Sequence, residues 1–257
     1  MFPSYFIGHG APTIIFDVNN YTNTIRNLAK QLPTPKGIII FSAHFESPIQ
    51  LISTVSDYSM IYDFYGFPEE MYAIQYPAKG DPELAIRIQQ EMSSRGIKSE
   101  LENKRGLDHG AWTVLAMMYP AADIPVVSMS VNPFISAAEY FKIGASLRKF
   151  KEEGYLIITS GGIVHNLRMV RFQDDGKVDP WALDFDNWIT DRLIEDNLKG
   201  LGDYAKVAPS ANLAVPRPEH FVNLLLAAGT RNEGAKATLL ATMIQFSNLS
   251  LDVWEFE

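Results

Sequence analysis

Short β-rich runs separated by helical patterns are the feature that most constrains the fold of this chain. Runs such as "GIIIF" and "YLIIT" are typical of strands buried on both faces of a sheet, and intervening helices cover such faces. Strands are predicted over residues 5–7, 37–42, 50–54, 124–131, 155–159 and 250–255. Helices are predicted over about residues 20–32, 81–95, 110–119, 135–153, 180–199, 219–229 and 235–243. The pattern therefore predicts an α/β fold with a mostly buried central mixed sheet flanked by helices.

The length and the uniform composition of the sequence predict a single domain over residues 1–257. A chain of 257 residues can bury a sizeable core, and we find no repeat, low-complexity tract or linker. The hydrophobic content of 47% and the charged content of 20% are ordinary for a globular protein.

Composition also excludes several classes of protein. The chain contains no cysteine, which excludes disulfides, cysteine nucleophiles and thiolate metal sites. A net charge of −8 argues against a nucleic-acid partner. The longest apolar runs are too short to span a bilayer, and the start "MFPSYF" lacks the features of a signal peptide. We therefore expect a cytoplasmic protein with neither nucleic-acid nor membrane partners.

The five histidines all fall at the ends of predicted elements. His9, His44 and His165 lie at or just beyond the carboxyl ends of predicted strands, whereas His109 and His220 lie at predicted helix starts. Ligands of α/β proteins gather beyond the carboxyl ends of strands. The placement therefore predicts that the histidines converge on one site.

Several imidazoles at one site indicate a metal centre with acid–base groups beside it. Neutral imidazole is a common ligand of zinc, iron, copper and nickel. Two or three histidines would hold one divalent ion, and the others would serve as acid or base, because an imidazole titrates near working pH. No His-Glu-x-x-His or His-x-His motif is present, so the ligands would come from separate elements.

Six short motifs, in this order, resemble one known family. They are "GHGAP", "SAHFE", "DFYGFPEEMY", "GLDHGAW", "SGGIVHNL" and "PEHFVNLL", and they extend from residue 8 to residue 225. Together they resemble the extradiol ring-cleavage dioxygenases of the protocatechuate dioxygenase beta-subunit superfamily, and within it the DOPA-extradiol-dioxygenase branch. The resemblance implies a metal-dependent enzyme that opens a catechol ring with O2.

The resemblance also implies a role for each histidine. His9 and His44 match two metal ligands, and His220 matches the third ligand of the DOPA branch. His165 matches an active-site base that lies close enough to the metal to act as a fourth ligand in a resting form. His109 matches the histidine that contacts substrate and oxygen.

One departure from the superfamily concerns the third ligand. Better-studied members complete the site with a carboxylate, whereas this chain offers His220, with its neighbour Glu219 as the alternative. The resemblance implies one divalent ion per chain, with Fe(II) expected for activity. An all-histidine site is also compatible with Zn2+.

Substrate contacts are predicted around the histidines. Residues 62–77 are rich in Tyr and Phe, which suits either a wall for an aromatic ring or a surface loop held by its own aromatic side chains. Asp63 and Tyr65 of this segment, together with Asp108, are candidate substrate-binding residues. Arg217 lies near a proposed ligand and is a candidate partner for a substrate carboxylate.

Two other functions remain open at this point. A zinc hydrolase would use the same histidines to activate water, with Glu46 or Glu219 as the general base. A non-catalytic interaction protein of the same fold is the second alternative. The five histidines retained here favour catalysis over an interaction role.

Overall fold

A mixed sheet forms the centre of the computed structural model, which describes residues 1–172, 176–232 and 234–257. The eight strands found in those residues lie in the order β4-β3-β5-β2-β6-β1-β8-β7. Their bounds are β1 Ser4–Gly8, β2 Ile38–Glu46, β3 Gln50–Ser53, β4 Ser99–Glu102, β5 Val126–Val131, β6 Leu156–Gly161, β7 Ala237–Gln245 and β8 Leu249–Phe256. The predicted buried mixed sheet is confirmed.

Helices cover both faces of the sheet and enclose two apolar layers. The helices are α1 Asn20–Gln31, α2 Glu69–Ala73, α3 Pro82–Ser94, α4 His109–Met118, α5 Ala137–Ser146, α6 Arg148–Glu153, α7 Pro180–Ile194, α8 Leu198–Gly202, α9 Tyr204–Val207, α10 Ala211–Ala214 and α11 Val222–Gly229. One layer lies beneath α1 and α4, and the other beneath α3, α5, α7 and α11. Among the described residues, no helix is long and apolar enough to cross a membrane.

The four central strands run parallel and place their carboxyl ends at one edge of the sheet. β2 pairs in parallel with β5 and β6, and β6 pairs in parallel with β1. His9 follows β1 directly, His44 lies near the end of β2, and His165 follows β6. The topology therefore brings these three histidines to the same edge, which we call the carboxyl-end edge.

The helix predicted over residues 235–243 is wrong, because this segment forms strand β7. The run "ATLLATMIQ" contains good helix formers, so local propensity alone favours a helix. β7 instead pairs antiparallel with β8 over almost its whole length. The turn between the two strands uses positive φ angles at Phe246 and Ser247. Tertiary pairing at the sheet border thus overrides the local preference.

Two other predicted helices are longer than the observed ones. The helix predicted over 135–153 is divided at Leu147 into α5 and α6, and the one predicted over 180–199 ends at Ile194. Strand β4 was not predicted, because its sequence "SELE" is polar and lies at the sheet border, where it buries little.

Two buried carboxyl groups, Asp186 of α7 and Asp252 of β8, lie within each other's electrostatic reach. Ser250 donates a hydrogen bond to Asp186, and the indole of Trp254 donates one to Asp252 at 2.9 Å. Burial, reinforced by the charge of Asp186, raises the pKa of Asp252 to about 8. Asp252 therefore stays protonated in the folded chain at pH values where it has already ionised in the unfolded chain. Because the folded state binds more protons, stability should fall as pH rises toward that pKa.

Replacing Asp252 by asparagine should remove much of this loss of stability at alkaline pH. The amide occupies the same volume and needs no proton, so we expect a melting temperature at about pH 8 that is roughly 2–4 °C above that of the wild type. Asp184→Asn, an exposed change on α7, the helix that carries Asp186, is the control. Thermal melts between about pH 5 and pH 8 would contradict this prediction if wild type and Asp252→Asn changed in parallel.

Candidate metal centre

All five histidines meet at the carboxyl-end edge. The ring centroid of His9 lies 5.0 Å from that of His44, 5.3 Å from that of His109 and 5.2 Å from that of His220. The ring of His165 stacks on that of His220 with the centroids 3.5 Å apart. The side chains thus form one cluster, although they come from positions spread over most of the chain.

The tautomer of His9 is determined by a serine of the neighbouring strand. Nδ1 of His9 lies 3.0 Å from the hydroxyl oxygen of Ser160, and that hydroxyl donates to the carbonyl of Gly110 at 2.5 Å. A hydroxyl has a single hydrogen, so Ser160 must accept from His9. His9 therefore carries its proton on Nδ1 and presents the lone pair of Nε2 to the cluster.

His44 lies where the pairing of β2 with β5 is irregular. The register shifts between Phe41 and Glu46, and such irregularities re-aim side chains. Nδ1 of His44 lies 3.1 Å from Oδ2 of Asp63, and its Nε2 lies 3.1 Å from Nε2 of His9. The Nε2 atoms of the two rings therefore face each other.

His220 precedes α11 and is 4% exposed. Its Nδ1 lies 3.2 Å from Oε1 of Glu219, whereas its Nε2 is buried without a hydrogen-bond partner. A buried polar atom without a partner carries a desolvation cost that a ligand would remove. The orphaned Nε2 of His220 thus indicates that something binds there.

His9, His44 and His220 fit a divalent metal ion. Their ligand atoms all lie within 4.8 Å of one another, and each Nδ1 lies within hydrogen-bond distance of a partner behind it. Metal-binding histidines generally show this arrangement, with the second nitrogen bound to a carboxylate or other acceptor. Burial, followed by the neighbouring histidines, lowers the pKa of His9 and of His220 well below the usual value. Both are therefore neutral, which is the form that binds metal.

His109 begins α4, and one carboxylate orients it. Oδ1 of Asp63 accepts from Nδ1 of His109 at 2.8 Å and from its backbone N–H at 3.1 Å. Burial raises the pKa of Asp63, but the hydrogen bonds from His109 and His44 outweigh it and hold that pKa well below its usual range. Asp63 is therefore an ionised carboxylate held between two rings.

Asp108 lies beneath the cluster and not at its open side. Its side chain accepts from the backbone N–H of Ala111 and caps α4, and it also bonds Ser42 and Arg105. The residue is 1% exposed. In the structure, Asp108 therefore fixes the start of α4. The contact with substrate that the sequence predicts for Asp108 stays a prediction.

His165 belongs to a different part of the cluster. Its ligand atoms group with those of Glu219 and His220, and not with the three-histidine group. Its backbone N–H donates to the carbonyl of Ala214 at 3.0 Å, which fixes the segment that follows β6. Burial, followed by neighbouring positive groups that include Arg217, lowers the pKa of His165 to about 3. His165 is thus a neutral imidazole stacked beside a candidate ligand.

Arg217 and Glu46 lie at the solvent side of the cluster. Nη2 of Arg217 contacts both carboxylate oxygens of Glu46, at 2.9 and 2.8 Å, and its Nε lies 3.4 Å from Glu219. The side chain of Arg217 is 67% exposed and that of Glu46 is 35% exposed. Tyr65 is 91% exposed. Charged groups of both signs therefore stand where a bound molecule would meet solvent.

The aromatic segment 62–77 both reaches the cluster and packs on itself. The ring of Phe64 lies 5.7 Å from that of His109, and it also contacts Phe67 and Tyr72. The structure is therefore compatible both with a wall for an aromatic ring and with a surface loop held by its own aromatic side chains.

Sequence reasoning missed the two groups that set the geometry around His9. Ser160 was not among the predicted site residues. Gly110 was not singled out, yet a Cβ there would lie 2.6 Å from the hydroxyl oxygen of Ser42 and 2.9 Å from the ring of His44. A serine inside an apolar strand and a glycine directly after a candidate histidine were the available signals.

The fold and the site together define the class of protein. It is an α/β enzyme with a histidine-rich site that could bind a metal ion. The chain belongs to the family of the catalytic LigB subunit of aromatic ring-opening dioxygenases, whose family model matches residues 8–250.

Curated relatives and a solved structure agree with this assignment. The chain is 39% identical over 241 residues to a 4,5-DOPA dioxygenase extradiol of Beta vulgaris, covering 92% of this chain and 90% of that protein. It is 33% identical to a protein of the same name from Escherichia coli, covering 97% of this chain and 92% of that protein. A crystal structure of an uncharacterized protein from Escherichia coli superposes with a TM-score of 0.86 at 30% identity, over the full length of both chains. The predicted resemblance is confirmed, and the chain is an extradiol ring-cleaving dioxygenase.

Proposed function

We propose that this enzyme opens the ring of a catechol with a charged side chain, of the DOPA type, beside its two hydroxyl groups. O2 is the co-substrate, and one divalent ion per chain, Fe(II) in the working enzyme, is the cofactor. The observation that carries the proposal is the group of three imidazoles, His9, His44 and His220, in which Nε2 of His220 is orphaned. The relatives named 4,5-DOPA dioxygenase extradiol support the choice of substrate class.

His9, His44 and His220 would hold the metal ion. A bound Fe(II) supplies open coordination positions, a Lewis-acidic charge and the redox chemistry that oxygen activation requires. An imidazole ligand carries no negative charge, so three such ligands would leave the positive charge of the ion undiminished. Such a site favours a substrate that brings its own negative charge, as a deprotonated catechol does.

His165 would move the proton of the substrate. Because its pKa is about 3, the ring is neutral at physiological pH and accepts a proton from a nearby hydroxyl. The same low pKa makes the protonated ring a strong acid, which returns its proton readily. Its grouping with Glu219 and His220, apart from His9 and His44, supports a role as base.

His109 would contact the substrate and oxygen. Its ring lies 4.0 Å from that of His44, centroid to centroid, and is held from behind by Asp63. Burial, which outweighs the hydrogen bond to Asp63, lowers the pKa of His109. A catechol bound at the metal site would have its oxygens beside this fixed, neutral ring.

Arg217 should set the preference for a charged substrate. Arg217→Gln removes the cation that would pair with a substrate carboxylate, so we expect KM for DOPA to rise about 5–20-fold while kcat changes less than about twofold. Steady-state kinetics with unsubstituted catechol, which lacks a carboxylate, provide the control. An equal rise in KM for both substrates would show that Arg217 does not recognise the side chain.

Oxygen uptake tests the proposed function. Protein loaded with Fe(II) without air should consume oxygen when DOPA or protocatechuate is added, and a yellow semialdehyde should appear. The zinc-hydrolase alternative predicts activity with Zn2+ and no need for oxygen. The family assignment favours the dioxygenase over this alternative and over an interaction protein.

A further inference from the structure

One carboxylate contacts two of the five histidines. Oδ2 of Asp63 lies 3.1 Å from Nδ1 of His44, and Oδ1 lies 2.8 Å from Nδ1 of His109. Oδ1 also accepts the backbone N–H of His109 at 3.1 Å. Each oxygen of Asp63 therefore faces a ring nitrogen, and the carboxylate forms a bridge between the rings.

The bridge allows only one tautomer at each ring. A carboxylate accepts hydrogen bonds and does not donate them, so both Nδ1 atoms must carry hydrogen. In a neutral imidazole, the lone pair is then on Nε2. For His44 this is the nitrogen that faces His9 across 3.1 Å, and for His109 it is the only ring nitrogen left to meet a ligand.

We propose that Asp63 is a positioning residue that fixes the Nδ1–H tautomer of His44 and His109 together and thereby couples the metal ligand to the substrate-facing histidine. The inference rests on the proposed function, because it takes His44 as a ligand. It assigns Asp63 a role behind the rings, in place of the direct substrate contact predicted from the sequence.

The aromatic segment positions this carboxylate. The indole N–H of Trp112 donates to the carbonyl of Ile61 at 3.2 Å, and the ring of Phe64 lies 6.3 Å from that of Trp112. These contacts hold the residues on both sides of Asp63 against α4. The docking of this segment on α4 therefore holds the Asp63 carboxylate behind the two rings.

Histidine tautomers in the metal-free wild-type protein provide the first test. Nitrogen NMR distinguishes a protonated from an unprotonated ring nitrogen at each assigned histidine. We expect His44 and His109 to be protonated at Nδ1 and unprotonated at Nε2. A proton on Nε2 of either ring would overturn the proposal, and this measurement requires no variant.

The Asp63→Asn variant provides the second test. The amide keeps the size of the side chain but replaces one acceptor oxygen with a donor, which faces Nδ1 of one ring and forces its proton to Nε2. Oδ1 accepts two N–H groups of His109, so the amide oxygen takes that position and the amide nitrogen faces Nδ1 of His44. His44 is then held in the wrong tautomer for metal binding. We therefore expect Zn2+ affinity, measured by competition with a chromophoric chelator, to fall about 10–100-fold.

Asp57→Asn is the matched control, since Asp57 is exposed and pairs with Lys79 away from the histidines. It should bind Zn2+ within about twofold of the wild type. Unchanged Zn2+ affinity and unchanged tautomers in Asp63→Asn would refute the proposal. Neither readout uses a catechol or oxygen. A protein that failed to cleave catechols could therefore still confirm the role of Asp63, and the two failures are distinguishable.

Discussion

The His9→Ala variant is expected to lose its metal ion and, with it, all measurable ring cleavage. His9 would contribute one of three imidazole ligands, and none of the three proposed ligands is a carboxylate that would hold the ion by charge. Two imidazoles alone form a weak site, so we expect affinity for Fe(II) or Zn2+ to fall by more than about 100-fold. Metal content after dialysis and oxygen uptake with DOPA would both measure the loss.

Two features make this prediction sharp. His9 is 2% exposed, and Ser160 of the central strand β6 orients its ring, so the change removes a buried and oriented imidazole. Circular dichroism would establish that the variant folds. If His9→Ala retained a stoichiometric metal ion with wild-type affinity, the three-histidine centre would be the wrong assignment.

The His165→Gln variant should separate metal binding from proton transfer. We expect it to retain Fe(II) or Zn2+ with an affinity within about tenfold of the wild type, because His165 lies outside the three-histidine group. Its kcat should fall about 10²–10⁴-fold, which is the usual contribution of a general acid–base group. KM should change little, since the metal ion still binds the catechol.

The same variant decides between the two roles that the sequence left open for His165. A base predicts intact metal binding, and a fourth ligand predicts a loss of affinity comparable to that of His9→Ala. Stopped-flow kinetics under single turnover would show whether the slow step is chemistry. Unchanged kcat in His165→Gln would mean that another group moves the proton.

The placement of three histidines was predictable from the sequence for a simple physical reason. Parallel strands share an edge at their carboxyl ends, so residues that follow strands meet there whatever the helices between them do. To predict where His9, His44 and His165 lie, it was enough to recognise "YFIG", "GIIIF" and "YLIIT" as strands. Burial on both faces makes such strands strongly apolar, and they are therefore easy to detect.

The groups that orient these histidines were not predictable in the same way. Ser160 is 151 positions from His9, and Asp63 is 46 positions from His109, so their pairing depends on the finished fold. The sequence does not show which side of a ring the carboxylate of Asp63 approaches, so its contacts with His44 and His109 were not predicted. Local propensity also misled at β7, where a border strand contains helix-forming residues.

Product analysis would show whether both atoms of O2 enter a catechol ring at this site. Protein reconstituted with Fe(II) would be given DOPA under isotopically labelled oxygen, and the product would be identified by mass spectrometry. We expect equimolar consumption of oxygen and catechol, a ring-opened product that carries the added O2, and no product from His9→Ala. If protein with confirmed Fe(II) consumed no oxygen with DOPA, protocatechuate or catechol, or released only the quinone, ring cleavage at this site would be contradicted.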